Sequence, residues 1–321
     1  MNPVLPDDAL EFGETARKAF DALGGVDAAR RAEEDRSFRS DVVKTLDALG
    51  VDDIDPRADL DTFSAAAALC EAAGRVALPY PVVGKLLQRD GVPFAVVPDD
   101  HARVDHGDLF AEWNVARVDG SFWARQVPEN VSSRAQNREF GRLGPFVVDL
   151  AVEGEAAPVT HESGIDVRYW LTLNAWQILG TADRAVELAA DHVSNRIQFG
   201  KPIATFQAVQ FMLADAAVAV AGLRELAQFT TWRVATVPEE AGADALALRV
   251  HAIDVARAVL RTCQQLHGAA GVCDEYDISV LTRHIQPALR LPCGAERTAA
   301  LLADAIEATG FDGLFPHGGA Q

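Results

Sequence analysis

Four cysteines are spread through the chain with no C-x-x-C pair and no histidine at ligand spacing. That argues against a structural zinc site and leaves Cys70, Cys263, Cys273 and Cys293 as expected reduced thiols. Basic residues are scarce: 29 Lys and Arg stand against 47 Asp and Glu, a formal net charge of −18. The acidic excess is spread along the chain without a basic stripe, so neither nucleic acid nor an anionic membrane is an expected partner. No stretch of about 18 apolar residues is free of charge, which argues against a membrane span. The first twenty residues carry Asp7, Asp8, Glu11 and Glu14 and no apolar run, unlike a secretory signal. A cytoplasmic protein is the expectation.

What is present is a chain of 321 residues, 49% of them hydrophobic, enough for one large domain or two to three modest ones. Its abundant alanine favours helix. Residues 1–90 read as a helical domain. A helix capped by Asp7-Asp8 runs to about Leu23, and another near Thr62–Val76 places Phe63, Ala66, Cys70 and Ala73 on one face. Residues 91–163 change character. Pro93–Val97, Phe110–Val118, Gly120–Val127 and Pro145–Val152 are short apolar runs bounded by Gly, Pro, Asp and Asn, the pattern of a small, mostly antiparallel sheet. The polar stretch from Asn130 to Leu143 reads as a loop. Residues 164–321 return to helix: about Asp166–Ser194, Phe206–Val234, Ala241–His267 and Gly294–Ala308, with a short helix near Ile278–His284, form an expected antiparallel four-helix bundle. The fold class is therefore α+β, mainly α, in three parts.

The stretch Arg196-Ile197-Gln198-Phe199-Gly200-Lys201-Pro202-Ile203 reads as a helix end, a tight turn and the approach to the next helix, which opens at Phe206-Gln207. Gly200 is free to take positive φ, and Pro202 forbids continuation of the first helix. The corner gathers a guanidinium, a phenyl ring and an amide. Arg196 can clamp a diphosphate through two charge-assisted hydrogen bonds, and Phe199 offers an apolar surface to an adenine. Gln207 and Gln265 add amide donors and acceptors. The small residues from Gly268 through Ala269 to Gly271 leave room for backbone N–H groups to approach phosphate or ribose. The alternative is that Arg196 only caps carbonyls at a helix C-terminus.

Two of these stretches carry a resemblance to the acyl-CoA dehydrogenase family. Arg196 to Asp215 resembles its R-x-Q-F-G-x-P-I-x-x-F-Q segment, and Gln265-Leu-His-Gly-Ala-Ala-Gly271-Val-Cys-Asp-Glu275-Tyr276 resembles Q-x-H-G-G-x-G, with Ala269 in place of the second glycine. The order of helical domain, sheet and bundle matches as well. The resemblance implies that FAD lies at a subunit interface and that Arg196, Phe199, Gln207, Gln265, Gly268 and Ala269 hold the ADP half of a flavin seated in the neighbouring subunit.

The same resemblance locates two places for the catalytic glutamate. One lies 27 residues beyond Gln265 and is Pro292; the other lies 26 residues before Arg196 and is Trp170. Neither can abstract a proton. Glu296, one turn beyond Pro292, is a displaced candidate, and Arg283-His284 replaces the family's late R-D pair, with a structural role expected for the histidine. The middle region also lacks the family's T-E-x-x-x-G-S-D type of flavin and thioester loop. No catalytic residue is therefore assigned to this chain. It is expected to serve as one subunit of an α2β2 FAD-dependent acyl-CoA dehydrogenase whose partner binds the acyl-CoA and supplies the base. The resemblance extends to actinobacterial heteromers that oxidise steroid side-chain CoA thioesters. A flavin-free scaffold and a self-sufficient homodimer using Glu296 are the alternatives.

Overall fold

A computed structural model describes residues 4–98, 102–128, 143–151 and 157–309. The expected loop from Asn130 lies outside them up to residue 142. The chain begins with five helices: α1 (Asp7–Leu23), α2 (Asp27–Glu34), α3 (Arg39–Ala48), α4 (Leu60–Arg75) and α5 (Val82–Leu86). Helix α4 starts two residues before the sequence reading places it. Asp59 accepts from the Thr62 backbone N–H while the Thr62 side chain accepts from Asp59, a reciprocal cap that fixes the start.

Five short strands follow: β1 (Phe94–Val96), β2 (Arg103–Asp105), β3 (Trp113–Ala116), β4 (Phe122–Pro128) and β5 (Val147–Ala151). They form one sheet in the order β1-β3-β4-β5-β2, with β1 parallel to β3 and the other pairs antiparallel. The reading from sequence overlooks β2. Three residues are too few to show alternation, and its register with β5 is a long-range pairing.

The remaining chain is α6 (His161–Asn195), a two-residue pair β6 (Ile197–Gln198) and β7 (Lys201–Pro202), α7 (Gln207–Thr236), α8 (Gly242–His267), α9 (Asp277–His284), α10 (Gln286–Arg290) and α11 (Ala295–Thr309). Helix α6 begins five residues earlier than expected because Thr160 and Ser163 cap each other. At 35 residues it is about 52 Å long, and it is the axis on which the rest is assembled. It packs against α4, α7 and α8, and one continuous apolar core joins α1 and α4 to α6, α7 and α8.

Helices α4 and α6 approach at two glycines. A Cβ on Gly74 would lie 1.9 Å from the Gln177 carbonyl oxygen, and one on Gly180 would lie 2.0 Å from that of Glu71. The Thr181 hydroxyl donates to the Gly74 carbonyl at 2.8 Å, locking the register. Ion pairs reinforce the same face: Arg224 meets Glu71 at 2.8 Å, and the buried Asp166 carboxylate accepts from Arg57 at 2.6 Å and from Arg89 at 2.9 and 3.0 Å. No helix among the described residues is long and apolar enough to cross a membrane.

Candidate functional site

The helix end at Arg196 opens into a hairpin rather than a simple turn. The Ile203 N–H donates to the Arg196 carbonyl at 2.9 Å, Ile197 pairs with Pro202, and Gln198 pairs with Lys201. Phe199 and Gly200 form the tip, both with positive φ, 53° and 76°. Glycine takes this conformation without cost, whereas phenylalanine is strained in it. The hairpin therefore holds the Phe199 ring outward, 90% exposed, in edge contact with Phe206 at 6.1 Å. The exposed Arg196 guanidinium has no hydrogen-bond or ion-pair partner among the described residues, so no side-chain cap of the α6 carbonyls accounts for it.

The second motif meets the first at this end of the bundle. Helices α6 and α8 run in the same direction, so their C-termini lie together. The His192 and His267 rings stack there at 4.5 Å, with Tyr276 edge-on at 6.4 and 6.5 Å. His192, Asn195, Arg196, His267, Glu275 and Tyr276 share one open groove. The Cys263 carbonyl lies 2.7 Å from His267 Nδ1, so that nitrogen carries the proton. Burial and the neighbouring His267 lower the pKa of His192 and keep it neutral. Phe199, Gln207, Gln265, Gly268 and Ala269 are exposed outside the groove wall, on elements that end or begin at the same pole of the bundle. Gly268 takes φ 61° with open space around it, as a phosphate-approaching residue would need. Gly271 has a different reason to be small: a Cβ there would meet the Gln264 carbonyl oxygen at 2.5 Å, so it serves helix packing rather than ligand approach.

Elsewhere in the bundle, the residues at the two positions where the resemblance places a base, Pro292 and Trp170, flank one buried arginine. Arg249 on α8 donates to the Leu291 carbonyl at 2.6 Å and the Cys293 carbonyl at 2.9 Å, on either side of Pro292, and to Asn174 Oδ1 at 3.0 Å. Its guanidinium lies 6.0 Å from the Trp170 ring. Burial pushes its pKa down to about 10, which still leaves it charged at neutral pH. A cation and two hydrophobic residues thus occupy this position. Glu296 is exposed on the first turn of α11 and does not line the adjacent cavity. His284 is 2.5 Å from Glu33, a carboxylate that also accepts from Arg283 at 3.0 and 3.2 Å, an arrangement that ties α9 to α2.

That cavity lies where α4, α5, the sheet, α6 and α10 meet, and measures about 90 Å³. Drug-sized ligand pockets run to about 300–1,000 Å³. The space left by the described residues therefore does not take a three-ring flavin together with an acyl thioester. Its lining holds a carboxyl that the reading from sequence missed, Asp105 on β2, next to His106. Asp105-His106-Gly107-Asp108 looks like an ordinary polar turn in the sequence, and only the pairing of β2 with β5 turns it inward. Burial pushes the Asp105 carboxyl up to about 7, assisted by nearby Asp108 and opposed by the His106 backbone N–H and by Arg39. Burial, with Arg39 beside it, holds His106 well below its usual range, so it is neutral. Burial alone would raise Asp108, but hydrogen bonds from Arg39 and Arg36 hold it low.

A carboxyl lifted from its ordinary 3.8 is protonated in the fold at pH values where the unfolded chain ionises it. Its contribution to stability therefore falls as pH rises from about 4 to about 7 and stays low above that. About a third of the Asp105 side chain remains accessible at the cavity wall, 32%, which reduces the cost from the full burial value. Asp105→Asn should be about 1–3 kcal/mol more stable than the parent at pH 8 and unchanged at pH 4. Urea unfolding of both proteins at the two pH values checks this; an equal difference at both would mean that the carboxyl does not titrate in this window.

Comparison with known proteins places these features. Residues 172–300 match the acyl-CoA dehydrogenase C-terminal domain. The chain is 28% identical to the acyl-CoA dehydrogenase IpdE2 of Mycobacterium tuberculosis over 66% of its own length and 68% of that protein. Other curated relatives that it matches at 33–36% identity are spanned over only 27–36% of their length. Among solved structures, a variant of the Tcur3481-Tcur3483 steroid ACAD superposes with a TM-score of 0.74 at 20% identity, covering 95% of this chain and 99% of that one. The ChsE4-ChsE5 complex of Mycobacterium tuberculosis gives 0.74 at 18% identity, covering 96% and 100%. Residues 172–300 are thus an acyl-CoA dehydrogenase C-terminal domain, and the chain as a whole has the fold of solved acyl-CoA dehydrogenases.

Proposed function

We propose that this chain is the base-lacking subunit of a heteromeric FAD-dependent acyl-CoA dehydrogenase, and that it contributes the ADP half of a flavin site shared with a catalytic partner. The observation that carries the reading is the Arg196 corner: an exposed guanidinium with no partner among the described residues, next to a phenyl ring held outward by a strained hairpin tip. The chemistry of this set fits the ADP moiety. Arg196 would pair with the diphosphate, Phe199 would cover the adenine, and Gln207, Gln265, Gly268 and Ala269 would supply amide and backbone contacts.

The role of a subunit rests on further features. The junction cavity is too small for a flavin ring with an acyl thioester, and Pro292 and Trp170 beside Arg249 provide no proton acceptor. On α7, Phe211 and Val218 are seven residues apart, on one side of the helix, and are 59% and 72% exposed. An apolar stripe on the helix that starts at Gln207 suits a permanent partner better than water does. The structural likeness to the Tcur3481-Tcur3483 steroid ACAD and to the ChsE4-ChsE5 complex supports a heteromer, an α2β2 assembly, with a steroid side-chain CoA thioester as the substrate class.

When bound, FAD supplies the acceptor for the hydride leaving the acyl Cβ as the Cα proton is removed, so that an acyl-CoA becomes a 2-enoyl-CoA. The partner would supply the base and the acyl-CoA pocket, and this chain would bind and orient the far end of the cofactor. The chain purified alone is expected to be colourless and inactive. Co-purified with an acyl-CoA dehydrogenase-fold partner that carries the glutamate, it is expected to retain one FAD per pair of chains and to reduce an electron acceptor with acyl-CoA. Flavin absorbance and acceptor reduction measure both. A yellow, active isolated chain would overturn the shared-site reading.

A further inference from the structure

Building on the reading of the Arg196 corner as a diphosphate site, we propose that His192 makes that site proton-linked: its neutral ring takes up a proton as the diphosphate enters, so the cofactor is held more tightly at pH 6 than at pH 8. The two side chains belong to one place. His192 stands on the last turn of α6, four residues before Arg196, and its carbonyl accepts the Arg196 backbone N–H at 2.8 Å. Both line the same open groove, and the charge of Arg196 bears on the imidazole. Neither ring nitrogen of His192 has a hydrogen-bond partner among the described residues, and neither is closed off from water. The ring can therefore gain a proton and donate to an anion. His267 fixes its plane: the two rings stack at 4.5 Å, and the His267 Nδ1 proton is committed to the Cys263 carbonyl at 2.7 Å.

The charges around the ring give the proton its importance. The groove lies against the C-terminal ends of α6 and α8, where the helix dipoles repel an anion, so side chains must supply the attraction. Of the carboxylates in its wall, Asp277 is paired with Arg30 at 2.9 Å, whereas Asp191 and Glu275 are exposed without a partner among the described residues. Tyr276 meets both imidazoles edge-on, and Lys201 on the hairpin lies over the Phe206 ring at 4.5 Å, outside the wall. With His192 neutral, Arg196 alone among the described residues of the wall is an unpaired cation, set against two carboxylates. A proton on His192 evens that balance, and an arriving diphosphate holds the proton in place. The diphosphate of FAD is a diester with no proton to exchange near neutrality, so the uptake falls on the protein. Burial, His267 and Arg196 hold the free ring below its usual 6.5, so it is neutral at pH 8 and affinity rises as pH falls.

Equilibrium dialysis of FAD against the complex with the catalytic partner at pH 6 and pH 8 is the test, with NMR titration of the histidine rings in the full chain as a second readout. The parent complex should bind FAD about three- to tenfold more tightly at pH 6, since each unit by which the bound diphosphate raises the His192 pKa is worth up to about tenfold in affinity. His192→Gln, which cannot protonate, should bring that ratio to about one. His251→Gln, at an exposed histidine elsewhere on α8, should leave the ratio as it is in the parent. In the full chain without ligand, Arg196→Ala should raise the pKa of His192, because a neighbouring cation is removed. A ratio of about one in the parent, an undiminished ratio in His192→Gln, or a His192 titration unmoved by Arg196→Ala would each overturn the proposal. Failure of the ADP reading has a different mark, FAD retention unaltered by Arg196→Ala at both pH values, and it would take the proton linkage with it. Should His192→Gln fail to fold, the parent's ratio and the His192 titration still decide the matter.

Discussion

Replacing Arg196 by alanine in the complex with a catalytic partner is expected to weaken FAD retention by about 30- to 1,000-fold, the loss of about 2–4 kcal/mol that follows when a charge-assisted diphosphate clamp is removed. The size of the effect follows from the geometry. Among the described residues Arg196 makes no side-chain bond that would be lost, its backbone N–H still donates to the His192 carbonyl at 2.8 Å, and its carbonyl still accepts from Ile203 at 2.9 Å. Truncation at Cβ therefore leaves the hairpin intact and removes only what the guanidinium does to a ligand. Arg196→Lys should recover part of the affinity but not all, since an ammonium offers a point charge in place of two parallel donors. Equilibrium dialysis of FAD against the complex, with thermal unfolding as a control for integrity, measures both. Unchanged retention in Arg196→Ala would remove this residue from the cofactor site.

Gly180→Ala should destabilise the chain by about 3 kcal/mol or more, or prevent its accumulation as folded protein. Two effects oppose each other here. Alanine is the better helix former by about 1 kcal/mol, and on an open helix face that gain would be realised. At Gly180, however, the new methyl would sit 2.0 Å from the Glu71 carbonyl oxygen, and the obstacle is backbone rather than a side chain that can rotate away. Helices α4 and α6 would have to separate along the core they share, weakening the hydrogen bond from Thr181 to the Gly74 carbonyl. Gly222→Ala on α7 is the control. A Cβ there meets nothing within 4 Å, so the same substitution should stabilise the isolated chain by about 0.5–1 kcal/mol. Thermal unfolding of both variants gives the comparison, and a Gly180→Ala protein as stable as its parent would mean that the helices do not cross where the glycines place them.

Much of the architecture was legible because helices announce themselves locally. The stripes of α6, α7 and α8 repeat every three or four residues over many turns, and Gly200, Pro202 and Pro238 punctuate them. Helix starts were less legible. The Thr160 and Ser163 pair and the Asp59 and Thr62 pair each moved a boundary, because a cap is decided by side chains that the apolar pattern does not include. Strand β2 was not legible at all, since three residues become a strand only when β5 supplies the partner.

The candidate site divides in the same way. The sequence alone determined which chemistry sits at the helix junction, because Arg196, Phe199 and Gly200 are contiguous and their turn is a local property of the chain. It also set the expectation that the base is missing from its two usual places, because Pro292 and Trp170 cannot take a proton in any surroundings. Tertiary structure alone decided that His192 and His267 stack, that Arg249 fills the position between Trp170 and Pro292, that Gly271 is a packing glycine, and that Asp105 and His106 face a cavity. Those facts depend on burial and on contacts between residues distant in the chain. Burial is what holds an Asp105 carboxyl near neutrality and a His106 imidazole uncharged, and no spacing along a sequence encodes it.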